Sequence, residues 1–368
     1  MSRLEDEATK QGNLLRDKGD FDGAIAAYTE AIRLHPQNAQ PYSGRGQAYL
    51  RKGEVDKAIA DCNRAIELDP MMAEAYCCRA DSHGRNGDFD KAVADCTEAI
   101  RLDPQRAEAY CTEAIHLDAH RAEAYFARGL VYAKKSEFDK AIVDFTESVR
   151  LDLRHAEVYC GRGYAYHKKG EFDKAIADYD EAVRLDPKQA ITYCNRGLSY
   201  VKKGGYDKAI ADFTEAVRLS PKDAEAYYNR GCTYGKKGDH DKAIADYTEA
   251  VRLNLKQAVV YYGRGCCYAE KGDHDKAIAD YGEAVTLNPE YAEAYYNRGC
   301  AYVEKGDHDK AINDFTAAIR INPKNGYVFY SRGYTYFQKG DRAQADADLA
   351  QAEKLGYKAK PGREAHRQ

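Results

Sequence analysis

The 368-residue sequence contains no tryptophan and no surplus of either charge: 56 Lys and Arg stand against 60 Asp and Glu, a formal net of −4. Such a balance supplies no global field to draw in nucleic acid or an anionic membrane. No apolar run is long enough to cross a bilayer. The opening Met1-Ser2-Arg3-Leu4-Glu5-Asp6-Glu7 lacks the apolar stretch of a signal peptide. These absences predict a cytoplasmic protein with no membrane partner. The 11 cysteines include no C-x-x-C, and Cys77-Cys78 and Cys266-Cys267 are adjacent, which argues against a metal site. Cys232, Cys266 and Cys300 recur at one fixed interval, as copies of a unit do and a disulfide framework does not. Reduced thiols in small apolar positions are expected, with no metal and no cofactor.

What the sequence has is repetition. The stretch Ala224–Gln257, AEAYYNRGCTYGKKGDHDKAIADYTEAVRLNLKQ, returns after 34 residues as Ala258–Tyr291 and again as Ala292–Asn325. A period of this length must be read before any local signal, because it decides the architecture. Tyr227, Gly231 and Tyr234 fall on one stripe of a helix, and Ala243, Tyr247 and Ala250 on another. Between them Lys237-Gly238-Asp239 reads as a tight turn. Each unit is therefore two amphipathic helices whose stripes face each other, with Gly231 and Ala243 small enough for close approach. One such hairpin cannot bury its apolar face alone, whereas a stack can.

The spacing of Tyr227, Gly231, Tyr234, Ala243, Tyr247 and Ala250 resembles the tetratricopeptide repeat, whose second helix ends at a proline. Pro221, Pro289 and Pro323 keep that ending, while Leu255 and Leu153 replace it. The resemblance implies an all-α fold, a right-handed α-solenoid of stacked antiparallel helix hairpins. About ten 34-residue units and one 15-residue remnant account for the chain, leaving no stretch for a catalytic domain.

Taken in order, residues 1–106 form a block of three repeats, the first degenerate in its opening helix. Residues 107–121 are a truncated copy that keeps the start and the end of a unit and lacks the 19 residues between. With no turn signal, Ala107–Leu117 should be one helix, and a single helix among hairpins predicts a discontinuity. Residues 122–357 are a second block of seven repeats, the last a cap with Ala345, Leu349 and Ala352 on one face. The tail, residues 358–368, is polar and basic and reads as disordered.

The function is sought on the face of each first helix next to the packing stripe, about 100° away. In tetratricopeptide proteins that face lines a concave groove that holds an extended peptide or a helix. Here the fifth, ninth and twelfth positions of the later copies include Phe126, Leu130, Tyr164, Leu198, Tyr228, Cys232, Tyr262, Cys266, Tyr296, Cys300, Tyr330, Tyr334 and Phe337. A solvated face would be polar, and a continuous apolar strip marks a binding surface. Packing of neighbouring repeats is the competing explanation, which suits Cys better than Tyr. Asn195, Asn229 and Asn297 occupy the sixth position. Some members of the family use a ladder of such amides to hold a peptide backbone, since each amide donates and accepts. Gly161, Gly263 and Ser331 interrupt the ladder here.

An arginine recurs at the seventh position of almost every copy. With Glu249 and Arg252 balancing charge locally, its stem is expected to snorkel over a neighbouring helix. The Asp-His-Asp turns around His240, His274 and His308 read as packing positions, because other copies place Phe or Tyr there. The leading reading is a non-enzymatic scaffold or adaptor that binds other proteins through a peptide or helix. The alternatives are a single-stranded RNA binder of helical hairpins, disfavoured by the net charge, and a structural spacer with no groove ligand. No nucleophile, base or metal constellation rises above the repeat pattern.

Overall fold

The computed structural model describes residues 2–117, 120 and 122–357. Among them every regular element is an α-helix, 21 in all. The chain forms two compact units, Met1–Pro187 and Lys188–Gln368. The first contains five antiparallel hairpins and one lone helix, Pro104–Leu117; the second contains five hairpins, from Ala190–Lys202 with Tyr206–Leu219 to Gly326–Lys339 with Arg342–Lys354. Within each unit the second helix of a hairpin packs against the first helix of the next, so each unit is an α-solenoid segment. The expected tail, residues 358–368, lies outside the described residues.

The core of each hairpin is a ring set between small residues. Tyr28, Phe145, Tyr179, Phe213, Tyr281 and Phe315 are among the largest fully buried side chains. Each comes from the middle of a second helix and lies between alanines such as Ala141 and Ala209, themselves fully buried. A methyl group on Gly129 would stand 2.7 Å from Phe145 and one on Gly299 2.7 Å from Phe315. The glycine of the first helix is therefore the notch that admits the ring. Truncating a ring of this kind to Ala costs about 3–5 kcal/mol.

Tyr227 and Tyr234, expected on the buried stripe, are only half-buried. Their faces are covered by cations instead, Arg230 5.5 Å above Tyr227 and Lys242 5.3 Å above Tyr234. The turns carry glycine at positive φ, as at Gly170 and Gly204, whereas Ser136 adopts the same left-handed conformation at φ 63°. Where Leu153 and Leu255 replace proline, the second helices Phe138–Arg150 and His240–Arg252 stop one residue short of their 14-residue counterparts. Asp152 and Asn254 turn left-handed there, and the N–H groups of Leu153 and Leu255 reach back to the carbonyls of Ser148 and Ala250. That is a Schellman-type ending, closed by an apolar side chain in place of a proline.

Over the described part of the truncated copy the chain is one helix, Pro104–Leu117, which starts three residues before Ala107. Pro104 opens it, and the Asp103 carboxylate accepts from the N–H groups of Gln105 and Arg106. It packs on Ala73–Arg85, Phe89–Leu102 and Ala122–Lys134 inside the first compact unit. The division into compact units falls at Pro187.

Candidate functional site

The arginine at the seventh position does not snorkel. In the second unit Arg230 grips Asp246 with Nε and Nη2 at 2.8 and 2.7 Å, and its Nη1 donates to Thr214 of the preceding hairpin at 3.2 Å. In the first unit Arg162 holds Asp178 at 2.8 and 2.7 Å and donates to Thr146. The fork recurs at Arg45, Arg79, Arg128, Arg196, Arg264, Arg298 and Arg332. Bidentate pairing orients the guanidinium and raises its pKa, the hydrogen bond to the Asp being the main cause. It fixes the angle between the two helices of each hairpin, so the adjoining face of the first helix is presented on a rigid support.

On that face the strip is best developed in the second unit. Tyr228, Tyr262, Tyr296, Tyr330 and Tyr334 are half-buried, as are Leu198, Cys232, Cys266 and Cys300. The rings are tilted against the core: Tyr228 lies 6.0 Å from Tyr247, Tyr262 5.9 Å from Tyr281 and Tyr296 5.7 Å from Phe315. Toward the C-terminus they join a tyrosine belt, with Tyr262 against Tyr291 at 4.9 Å and Tyr296 against Tyr327 at 5.3 Å. Tyr330 stacks on Tyr334 and touches Tyr357. Burial pushes the phenol pKa values of Tyr228, Tyr262 and Tyr296 far up, so these groups are neutral hydrogen-bonding hydroxyls. The cysteines serve as small acceptors beneath them: Tyr247 Oη donates to Cys232 Sγ at 3.4 Å. Burial also raises the Cys266 thiol, and the Cys300 thiol to about 12, which keeps both protonated. Phe337 is 58 % exposed.

In the first unit the strip is thinner. Tyr164 is 37 % exposed, with the Lys168 ammonium 5.2 Å above its ring. Leu130 is half-buried and packs into the core beside Phe145. Phe126 does not belong to the face: it is 2 % exposed and lies 5.9 Å from Phe145. Its register and its tilted contact with the core ring match those of Tyr228, but its own ring is buried.

The three asparagines separate. Asn297 donates to Tyr262 Oη at 2.9 Å and approaches Cys266 Sγ at 3.8 Å, so its amide nitrogen ties one hairpin to the previous one. Asn195 and Asn229 make no side-chain hydrogen bond among the described residues. At two of the gaps in the ladder a methyl group on Gly161 or Gly263 would lie 2.9 Å from Phe145 or Tyr247 of the preceding hairpin. Two exposed apolar residues of this region, Ile191 and Val259, were missed by the sequence reading. Their signal was available, because most copies place Glu at this second position, as at Glu157, Glu225 and Glu293.

Among the described residues no group of three or more His, Cys, Asp or Glu is placed to hold a metal ion, and no helix is long and apolar enough to cross a membrane.

Models of the tetratricopeptide repeat match residues 9–73, 73–106, 122–155, 224–256, 292–325 and 327–355. A further model, described as TPR repeat, matches residues 163–204, 197–238 and 266–306. No curated protein matches the sequence. Among solved structures the chain is similar to MamA at 31 % identity, over 44 % of this chain and 94 % of that one, with a TM-score of 0.43. It is similar to YrrB, described as a TPR protein with an unusual peptide-binding site, at 25 % identity, over 48 % and 91 % of the two chains, TM-score 0.45. Yeast Tom70 aligns at 15 % identity over 96 % of this chain and 92 % of its own, TM-score 0.42.

Proposed function

Because the chain belongs to the tetratricopeptide repeat family, we propose that it is a non-catalytic protein-interaction scaffold that takes an extended peptide or a helix of a partner. The face used is that of the first helices in the second unit. The observation that supports this reading is the row of half-buried Tyr228, Tyr262, Tyr296 and Tyr330, beside which the amides of Asn195 and Asn229 remain free to pair with a peptide backbone. Rings with one dry end and one wet end suit recognition, because they contribute area at low entropy cost. Exposed Ile191, Val259 and Phe337 extend the apolar surface.

The test is selection of a random 15-residue peptide library against the full chain, followed by affinity measurement of the enriched peptides. A loss of at least tenfold in Tyr262→Ala, with helicity unchanged, is the expected result. Enriched peptides that bind that variant and Tyr228→Ala as tightly as the wild type would overturn the assignment of the face. The RNA alternative predicts a salt-dependent anisotropy signal with a single-stranded oligonucleotide. A net charge of −4 and a face of Tyr, Cys and Leu supply few phosphate contacts, which favours the peptide.

A further inference from the structure

Residues four apart stand one above the other on a helix, so each first helix of the second unit lays a column across the tyrosine face. Cys194, Leu198 and Lys202 form one column, and Tyr228, Cys232 and Lys236 the next. Tyr262, Cys266 and Glu270 follow, then Tyr296, Cys300 and Glu304. The first helices of consecutive hairpins touch, so the columns stand side by side. Each ends in an exposed charge at the thirteenth position, and the sign changes once along the row, from two lysines to two glutamates. Burial is the main reason the Cys266 and Cys300 thiols are raised, and the Glu270 and Glu304 carboxylates add to it, which sets these charges beside the cysteines of the face.

The charges around this row are already paired. Lys237, Lys271 and Lys305, one residue on, are tied to Asp207, Asp241 and Asp275 of the preceding hairpins. The turn aspartates Asp239, Asp273 and Asp307 are held by Lys242, Lys276 and Lys310. Lys202, Lys236, Glu270 and Glu304 form no ion pair and no side-chain hydrogen bond among the described residues. At the other end of the helices, roughly 16–20 Å away at 1.5 Å per residue, the exposed charges are mixed in sign: Lys222, Glu225, Lys256, Glu290, Glu293 and Lys324. The order by sign therefore belongs to the thirteenth row.

We infer that the tyrosine face takes a peptide whose acidic and basic side chains are segregated to opposite ends, the acidic end over Lys202 and Lys236 and the basic end over Glu270 and Glu304. This rests on the proposed scaffold role and gives its ligand a charge pattern and a direction. Like charges on adjacent helices repel each other, and a covering chain of opposite charge turns that cost into attraction. Packed helices lie about 8–10 Å apart and an extended chain rises about 3.3 Å per residue, so each column meets about three residues. A peptide laid the wrong way round brings like charges together, which is how a charged row selects among ligands of similar apolar content.

The experiment screens four 15-residue peptide libraries on the full chain, each with a randomised centre. Their ends are acidic then basic, basic then acidic, both acidic, or both basic. Enrichment should come from the segregated libraries, and the favoured one gives the direction of the bound chain. The companion variant exchanges the row: Lys202→Glu, Lys236→Glu, Glu270→Lys and Glu304→Lys. Every new residue in it is one that other copies already carry at this position. An enriched peptide should bind this variant about tenfold more weakly or worse. The same peptide with its acidic and basic residues exchanged should regain the affinity. Equal enrichment from a library of uniform charge overturns the charge order. So does unchanged affinity in the exchanged variant, or an exchanged peptide that fails to recover. In those cases a loss of binding in Tyr262→Ala still leaves the scaffold face standing. Enriched peptides indifferent to both Tyr262→Ala and Tyr228→Ala, or no enrichment from any library, overturn that face and the charge order with it.

Discussion

Arg264 and Asp280 form a two-pronged pair, with Nε and Nη2 each 2.7 Å from a carboxylate oxygen and side chains 16 % and 8 % exposed. The third prong, Nη1, donates to Thr248 of the previous hairpin at 3.1 Å. Helix-to-helix and hairpin-to-hairpin geometry thus pass through one guanidinium. The pair is largely shielded from water, so removing one partner leaves the other charge poorly solvated, a larger loss than that of an exposed ion pair.

Asp280→Ala should therefore destabilise its hairpin by roughly 2–4 kcal/mol, and Thr248→Val by only about 0.5–1 kcal/mol. A solenoid loosens locally, so the readout is amide hydrogen exchange across Ala258–Glu270 and His274–Leu287 rather than one global midpoint. Equal and small effects of both substitutions would show that the fork is incidental.

The Gly299 notch and the Phe315 ring make a second pair. Alanine is ordinarily the better helix former by about 1 kcal/mol, but a methyl group here would stand 2.7 Å from a fully buried ring. Gly299→Ala should cost about 1–3 kcal/mol, and most of that penalty should vanish when Phe315→Leu has already made room. Urea unfolding of the single and double variants measures the coupling. Additive effects would mean that the ring does not depend on the notch.

The hairpins were legible from the repeat of Gly, Ala and aromatic residues, because those positions meet inside one 34-residue unit. The single helix at the truncated copy followed from the missing turn. The fork was not read, since Arg264 and Asp280 are 16 residues apart on different helices and only neighbours on one helix had been paired. Glu249 and Arg252 do pair three residues apart, at 2.7 Å, but they neutralise each other and leave the seventh-position arginine for a different partner. Phe126 shares the register of Tyr228 and is nevertheless 2 % exposed, and register alone does not report burial. Asn297 differs from Asn229 in what stands 35 residues earlier, Tyr262 against Cys194, a pairing between neighbouring repeats that register within one repeat does not show.

Tyr28 gives a pH prediction. Its ring is fully buried, its hydroxyl donates to Asn13 Oδ1 at 2.7 Å, and burial, the largest cause, raises its pKa from 10.0 to about 12. The folded state thus holds the phenolic proton more tightly than the unfolded chain does. Stability from this group is complete below pH 10 and is lost as pH climbs through about 12. The amide exchange of Ser2–Asp17 and Phe21–Leu34 should therefore accelerate over that interval by more than intrinsic base catalysis predicts. Tyr28→Phe, which has no proton to lose, should flatten the excess. An unchanged profile in that variant would place the alkaline sensitivity elsewhere.

Ser136 carries the last prediction. It occupies a turn where other copies place glycine, and its φ of 63° matches the left-handed values of Gly170 and Gly204. A residue with a Cβ bears a cost of roughly 1–2 kcal/mol in that conformation, partly offset because serine loses less chain entropy than glycine on folding. The strain term is the larger, so Ser136→Gly should stabilise the hairpin of Ala122–Lys134 and Phe138–Arg150 by about 0.5–1 kcal/mol. The reverse change in the next copy, Gly170→Ser, should cost a similar amount. Both are read by hydrogen exchange of the hairpin concerned. If Ser136→Gly destabilises, the serine hydroxyl contributes something to this turn that its backbone angle does not reveal, and the copies cannot be treated as interchangeable there.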